Sequence, residues 1–122
     1  MNNSMKVLVV DDDPGILEVC ADALESDGYL VARAGDGHQA VQLVSANGFK
    51  AILMDIMMPR MDGITACQRI KANPATAHIR IVLMSARGNL TAQNLALACA
   101  DAVLAKPFDL DQLLDTIHDM AA

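Results

Sequence analysis

The sequence predicts one α/β domain, built as a parallel sheet of five strands with five helices on its two faces. Five short apolar runs alternate with five longer segments that have helical character. Strict alternation favours a parallel sheet, because each helix returns the chain to the start of the next strand. The 122 residues, of which 53% are hydrophobic, are enough for one packed core. We therefore expect a single domain over 1–122, with a disordered extension at 1–4.

Each predicted strand is a run of four to six residues rich in Val, Ile, Leu and Ala. The runs are Lys6–Val10, Leu30–Ala34, Ala51–Met54, Ile79–Met84 and Ala102–Ala105. In sheets of this kind, ligands bind outside the carboxyl ends of the strands. The residues directly after each strand are therefore the first candidates for a functional site.

Capping residues mark the first two predicted helices. Asp13 can cap a helix that starts at Pro14, and Gly28 suits its end. This position makes Asp13 a better helix cap than a metal ligand. Asp36 can cap the second helix, whose apolar residues are Ala40, Val41, Leu43 and Val44.

Three more helices are predicted in the second half of the chain. The third has Ile64, Cys67 and Ile70 on one face, and the fourth is an Ala-rich stretch from about Asn89 to Cys99. The last starts at Asp109, where the spacing to a glutamine three residues later indicates a capping box. Its predicted buried residues are Leu113, Leu114 and Ile117.

Polar residues follow four of the predicted strands, and a parallel sheet places them on one rim. They are Asp11 and Asp12, Asp55, Ser85, and Lys106. Clustered carboxylates resist ionisation unless a cation shares the site. Mg²⁺ fits, because it uses one or two carboxylates, keeps waters and pairs with phosphate. Asp55 could supply a nucleophile while Lys106 and the Ser85 hydroxyl hold a phosphoryl oxygen.

Four motifs in this order resemble the signature of bacterial two-component response-regulator receiver domains. They are Val9-Val10-Asp11-Asp12-Asp13-Pro14, the stretch Met54–Gly63, Ser85-Ala86 and Lys106-Pro107-Phe108. The resemblance extends from about Lys6 to Met120. It implies a flavodoxin-like, doubly wound sheet with strand order 2-1-3-4-5. It also implies signal transduction by phosphorelay, with a histidine kinase or phosphotransfer protein as donor and a downstream protein or fused output domain as target.

The same resemblance implies a role for each acidic residue. Asp55 matches the phosphoacceptor. Asp12 matches the residue that binds Mg²⁺ directly, and Asp11 the one that acts largely through water. The backbone carbonyl of Met57 matches the third protein ligand, and Mn²⁺ is expected to substitute for Mg²⁺.

Further positions match the residues that respond to phosphorylation in the family. Ser85, followed by Ala86, matches the hydroxyl residue that moves toward the phosphoryl group. Lys106 matches the lysine that pairs with that group, and its bond to Pro107 is expected to be cis. The domain is therefore expected to assist its own phosphorylation and dephosphorylation rather than to act as an enzyme on other substrates.

Four positions suggest differences in lifetime and readout. Met57 and Arg87 occupy two variable positions near the site, and neither side chain readily orients an attacking water. Slow loss of the phosphoryl group is therefore expected. The family often has an aromatic residue where this chain has Val103, and usually has Gly where it has Cys99. These two departures affect the face that receivers use to signal.

Several other functions fit the sequence less well. A small Mg²⁺-dependent phosphohydrolase needs a second acid two residues after its nucleophile, where this chain has Met57. A flavin-binding domain needs a hydroxyl-rich phosphate loop after the first strand, and an unphosphorylated interaction module does not need the intact acidic set.

The net charge of −6 argues against direct nucleic-acid binding. With no apolar run of membrane-spanning length and no export signal recognised, a cytoplasmic protein is expected.

Overall fold

A computed structural model of the chain describes residues 5–45, 48–86 and 99–121. In chain order the elements are β1 (Lys6–Val10), α1 (Pro14–Ser26), β2 (Leu30–Ala34), α2 (Gly37–Val44), β3 (Ala51–Asp55), α3 (Gly63–Ala72), β4 (Arg80–Ala86), β5 (Ala102–Lys106) and α4 (Leu110–Ala121). The helix predicted from about Asn89 to Cys99 lies, apart from Cys99, outside the described residues, as does Arg87. None of the four helices in the described ranges has both the length and the apolar composition needed to cross a bilayer.

All five strands are parallel and are arranged in the order β2-β1-β3-β4-β5, which confirms the predicted sheet. Three strands end later than predicted: β3 includes Asp55, β4 continues to Ala86 and β5 includes Lys106. Pairing causes the extension, since Asp55 is in register with Met84 and Ala86 with Lys106. The candidate site residues on these strands therefore belong to the hydrogen-bonded sheet rather than to loops.

An aspartate precedes the start of every described helix. These residues are Asp13, Asp36, Asp62 and Asp109. The carboxylates of Asp13 and Asp36 accept hydrogen bonds from backbone amides of the first turn, as predicted. Asp109 and Gln112 exchange two hydrogen bonds of 2.8 and 3.0 Å, which confirms the capping box. A cap of this kind contributes about 1 kcal/mol, and it fixes where each helix begins relative to the preceding strand or loop.

The sheet is buried on both faces, and its strands divide their side chains between two apolar clusters. One cluster joins Leu8, Ile52 and Leu83 of the strands to α2 and α3. The other joins Val9, Leu53 and Val82 to α1 and α4. Each such side chain, when fully buried, contributes about 1.5–3 kcal/mol. In α4, Leu113 and Ile117 are fully buried, one turn apart, as predicted. Leu114 packs against the same cluster but is only partly buried, which is less than predicted.

Asp101 fixes the start of β5. Its Oδ2 accepts hydrogen bonds of 2.8 Å from both Lys71 Nζ and the Ile81 amide, and its Oδ1 lies 3.4 Å from Arg80. Burial alone would raise the pKa of the Asp101 carboxyl, but the Lys71 and Ile81 hydrogen bonds outweigh burial and lower this pKa. One carboxylate thus ties β5 to β4 and to the end of α3.

We predict that Asp101→Asn destabilises the domain by about 1–2 kcal/mol at pH 7, because the charged acceptor of three donors is lost. The folded state lowers the pKa of Asp101, so its contribution is present above the ordinary Asp pKa of about 3.9 and fades as pH falls through the folded value. Urea unfolding at pH 7 and at successively lower pH measures the difference. The exposed Asp115→Asn substitution in α4 is the control. A penalty that does not decrease on acidification would contradict the role assigned to the Asp101 charge.

Candidate functional site

The sheet register brings residues from separate parts of the chain to one rim. Val10 is in register with Met54, so the next residues along these strands, Asp11 and Asp55, are neighbours. On the other side of β3, Ala86 is in register with Lys106. The carboxyl ends of β1, β3, β4 and β5 therefore form one edge that carries both acidic and basic side chains.

Three carboxylates meet at this edge. Asp11, Asp12 and Asp55 each offer an oxygen that lies within 4.8 Å of the other two. Asp11 is 1% exposed and Asp55 is 7% exposed, whereas Asp12 is open to solvent. Asp13 lies outside this group of acids: its Oδ1 caps α1, and its amide donates to Asp11 Oδ1 over 2.9 Å.

Lys106 supplies the positive charge at the centre of the cluster. Its Nζ lies 3.3 Å from Asp11 Oδ2 and 3.4 Å from Asp55 Oδ1. Burial raises the pKa of the Asp55 carboxyl, Lys106 opposes this rise, and the nearby Asp11 adds to it, so that the net shift is upward. Burial lowers the pKa of Lys106, but Asp55 and Asp11 outweigh burial and raise it. Lys106 is therefore held in its charged form.

The donor set fits a divalent cation. Among the described residues, three carboxylates share one small volume with a single ammonium group, so negative charge is in excess there. All the offered side-chain donors are hard oxygens, which Mg²⁺ prefers over nitrogen or sulfur ligands. Burial raises the pKa of the Asp55 carboxyl more than Lys106 lowers it, so a further cation at this edge would favour the charged carboxylate.

The remaining candidate residues lie on or directly after β3, β4 and β5. Ser85 is fully buried at the end of β4, and its hydroxyl donates to the Ala86 carbonyl over 3.3 Å, rather than to one of the acids. Met57 is 63% exposed, and its backbone amide slightly opposes the upward pKa shift of Asp55. Val103 is half-buried against the cluster of α2 and α3. The bond between Lys106 and Pro107 is cis, as predicted.

The sequence profile of the response regulator receiver domain matches residues 7–118. The chain belongs to the response regulator receiver domain family. It is 34% identical to the DNA-binding dual master transcriptional regulator RpaA of Synechocystis, over 93% of the chain and 47% of that protein. It is 35% identical to response regulator MprA of Mycobacterium ulcerans, over 91% of the chain and 47% of that protein. This receiver domain thus spans about half the length of the curated relatives it matches.

Solved receiver domains have the same architecture. The receiver domain of a sensor histidine kinase from Pseudomonas aeruginosa, solved with a magnesium ion coordinated in its active site cleft, superposes with a TM-score of 0.89. Sequence identity is 29%, and the match covers 97% of this chain and 98% of that domain. Receiver domains bind Mg²⁺ at an acidic site, and the aspartate cluster of this receiver domain fits such binding.

The loop after β3 is packed unusually closely against the backbone of Asp55. The Gly63 amide donates to the Ile56 carbonyl over 2.9 Å. A Cβ placed on Gly63 would lie 2.3 Å from the Asp55 carbonyl oxygen and 3.0 Å from Ile56 Cα. Real Cβ atoms do not approach backbone so closely, so the first turn of α3 fits here only because residue 63 has no side chain. Sequence reasoning missed this constraint, although the helix-capping aspartate before Gly63 marks the position.

We predict that Gly63→Ala destabilises this receiver domain by about 1–3 kcal/mol, because overpacking against backbone forces the β3 end and α3 apart. Thermal or urea unfolding measures the loss. Gly35→Ala is the matched control: its nearest heavy atom would be 3.9 Å away, so its effect should stay within about 0.5 kcal/mol. Equal effects of the two substitutions would show that the contact with Asp55 is not the cause.

Proposed function

We propose that Asp55 accepts a phosphoryl group from a histidine kinase or phosphotransfer protein, with Mg²⁺ at the site, and that phosphorylation switches a protein-binding surface. The observation that carries this proposal is the placement of Asp55 between two further carboxylates and Lys106. In this proposal, residues 1–122 form one receiver domain of a cytoplasmic phosphorelay. Such a domain assists its own phosphorylation and dephosphorylation but does not turn over a separate substrate.

The residues divide the chemistry of transfer among them. An Asp55 carboxylate oxygen attacks phosphorus. The bond between phosphorus and the donor breaks as the bond between this oxygen and phosphorus forms, and the donor group leaves. Phosphoryl transfer depends mainly on positioning and charge neutralisation. The Lys106 ammonium already lies 3.4 Å from Asp55 Oδ1, so it can pair with a transferred phosphoryl oxygen. Bound Mg²⁺, or Mn²⁺ with the same oxygen ligands, would neutralise further charge.

The metal would be held by four groups at this edge. The Asp12 and Asp55 carboxylates and the Met57 backbone carbonyl would bind it directly, and Asp11 would act largely through water. Asp11 is buried and already engaged with Lys106 and the Asp13 amide, which suits an indirect role. Asp12 is exposed, which suits a ligand that ions reach from solvent.

The switch would begin at Ser85. Its hydroxyl now donates to the Ala86 carbonyl over a long 3.3 Å bond, which a phosphoryl oxygen would replace as a stronger, charged acceptor. Movement of Ser85 and Ala86 would alter the segment that follows β4. Val103 cannot swing as an aromatic side chain could, because branching at Cβ restricts its χ1 angle. We therefore assign the readout to the segment after Ser85 rather than to residue 103.

An apolar cavity beside Lys106 supports docking of a protein donor. It encloses about 460 Å³ between α1 and the start of α4, and it is lined by Gly15, Ile16, Val19, Cys20, Ala86, Lys106, Pro107, Phe108 and Leu110. Val19 and Leu110 are 54% and 45% exposed. An apolar surface next to the phosphoacceptor suits a partner protein better than an anionic nucleic acid, which the net charge of −6 would repel.

We predict that acetyl phosphate adds one phosphoryl group to this receiver domain, and only in the presence of Mg²⁺ or Mn²⁺. Intact-mass spectrometry should show the adduct in the wild type and not in Asp55→Asn, because the nucleophilic oxygen is replaced by an amide. Undiminished labelling of Asp55→Asn would refute the assignment.

Asp12→Asn and Asp13→Asn form a matched pair of controls for the metal. Asp12→Asn should raise the Mg²⁺ concentration needed for labelling, since one cluster carboxylate is lost. Asp13→Asn should leave that concentration nearly unchanged, because Asn caps helices about as well as Asp. An equal effect of both substitutions would place the metal elsewhere.

We further predict that the phosphoryl group is lost several-fold faster in Met57→Asn than in the wild type. An amide at this exposed position can orient an attacking water, whereas a thioether cannot. Decay of the adduct after removal of acetyl phosphate measures the rate. Met57→Leu, which keeps an apolar side chain, should decay as the wild type does. Equal decay rates for Asn and Leu at this position would remove Met57 from the set of tuning residues.

A further inference from the structure

Two of the three cysteines lie next to each other, away from the acidic site. Cys67 of α3 is fully buried, and Cys99 is half-buried. Cys99 packs against the apolar cluster that contains Cys67. Burial raises the pKa of the Cys67 thiol, and the nearby Cys99 thiol adds to this rise. Cys20 belongs to the cluster on the opposite face of the sheet, so it is separated from both.

A second pair of residues holds the cysteine pair in place. Cys67 and Lys71 are four residues apart in α3, so they share one face of the helix. Cys99 and Asp101 lie opposite them, and Lys71 Nζ donates to Asp101 Oδ2 over 2.8 Å. Asp101 is anchored in turn to the Ile81 amide over 2.8 Å. The approach of the two thiols is therefore fixed by an ion pair one helical turn away.

We propose that Cys67 and Cys99 are a redox pair that closes to an intramolecular disulfide by exchange with a small-molecule disulfide. The thiolate of Cys99 attacks the external disulfide, forms a mixed disulfide and releases one small thiol. The Cys67 sulfur then attacks the Cys99 sulfur, and the second small thiol leaves. The external disulfide accepts two electrons, and the two protons lost by the cysteines end on the two released thiols.

The different burial of the two thiols sets the order of these steps. Cys99 is partly open to solvent, so an external disulfide can reach it. Cys67 is fully buried, so a reagent in solvent cannot reach its sulfur before Cys99 has reacted. Once Cys99 has formed the mixed disulfide, the Cys99 sulfur becomes the electrophile that the Cys67 sulfur attacks.

The disulfide would add a covalent connection between α3 and the residues that enter β5. It would close a loop through residues 68–98, which contains β4 and the segment that follows Ser85. Closing such a loop restricts the unfolded chain and stabilises the folded one.

The test is to equilibrate the reduced protein with glutathione disulfide, quench with acid, alkylate the remaining thiols under denaturing conditions and map the peptides. The wild type should lose two hydrogens, take up one alkyl label, on Cys20, and yield a linked peptide pair containing Cys67 and Cys99. Its thermal midpoint should be higher in the oxidised form than in the reduced form. Three labels, or a linked pair that contains Cys20, would overturn the proposal.

Single substitutions distinguish a pair from a lone reactive thiol. Cys99→Ser should remain unreactive in the folded state, because the two remaining thiols, Cys20 and Cys67, are both buried. Cys67→Ala should stop at a mixed disulfide between Cys99 and glutathione. Cys20→Ala should form the linked pair as the wild type does. A wild type that also stops at the mixed disulfide would show that the two sulfurs cannot join, and the proposal would fail.

Discussion

Repulsion among three carboxylates at one edge of a parallel sheet is the constraint on which the rest of this receiver domain depends. Asp11 and Asp55 are almost completely buried, and one ammonium group lies within 3.4 Å of both. Such a site can exist only if the backbone around it is held firmly, because separating the charges would relieve the repulsion. The strands supply that firmness. The backbone pairing of β3 with β4 includes Asp55, and that of β4 with β5 includes Lys106. Both side chains are therefore attached to hydrogen-bonded strands.

The two ends of the sheet carry different kinds of ionic contact. Lys106 ends β5 in a cluster where negative charge is in excess, which leaves room for a cation and a phosphoryl group. Asp101 precedes the same strand and accepts from two cations and an amide, which closes off further binding. Ionic contacts that are fully satisfied stabilise one arrangement, whereas a site with excess charge responds to ligands. β5 therefore has a fully paired ionic contact at its start and, at its end, a site with charge left to bind ligands.

Local sequence signals predicted a large part of this structure. Apolar runs located all five strands, and three of the four helix-capping aspartates were identified from their position before a helical pattern. The convergence of Asp11, Asp55 and Lys106 follows from strand ends in a parallel sheet. What local signals do not contain is contact between distant backbones. The approach of Gly63 to the Asp55 carbonyl, the anchoring of Asp101 and the meeting of Cys67 with Cys99 all depend on how α3 packs across β3, β4 and the start of β5.

The two departures from the family pattern are better understood together than singly. Val103 cannot provide a rotating aromatic ring, and Cys99, four residues earlier, packs against the cluster that contains Cys67 of α3. Both residues pack against the same cluster on the α2 and α3 face. If Cys67 and Cys99 form the proposed disulfide, this face would have two states without a rotating aromatic side chain, because the sulfur–sulfur bond would connect α3 to the residues that enter β5. The same face would then respond to oxidation at the amino end of β5 and to phosphorylation at its carboxyl end.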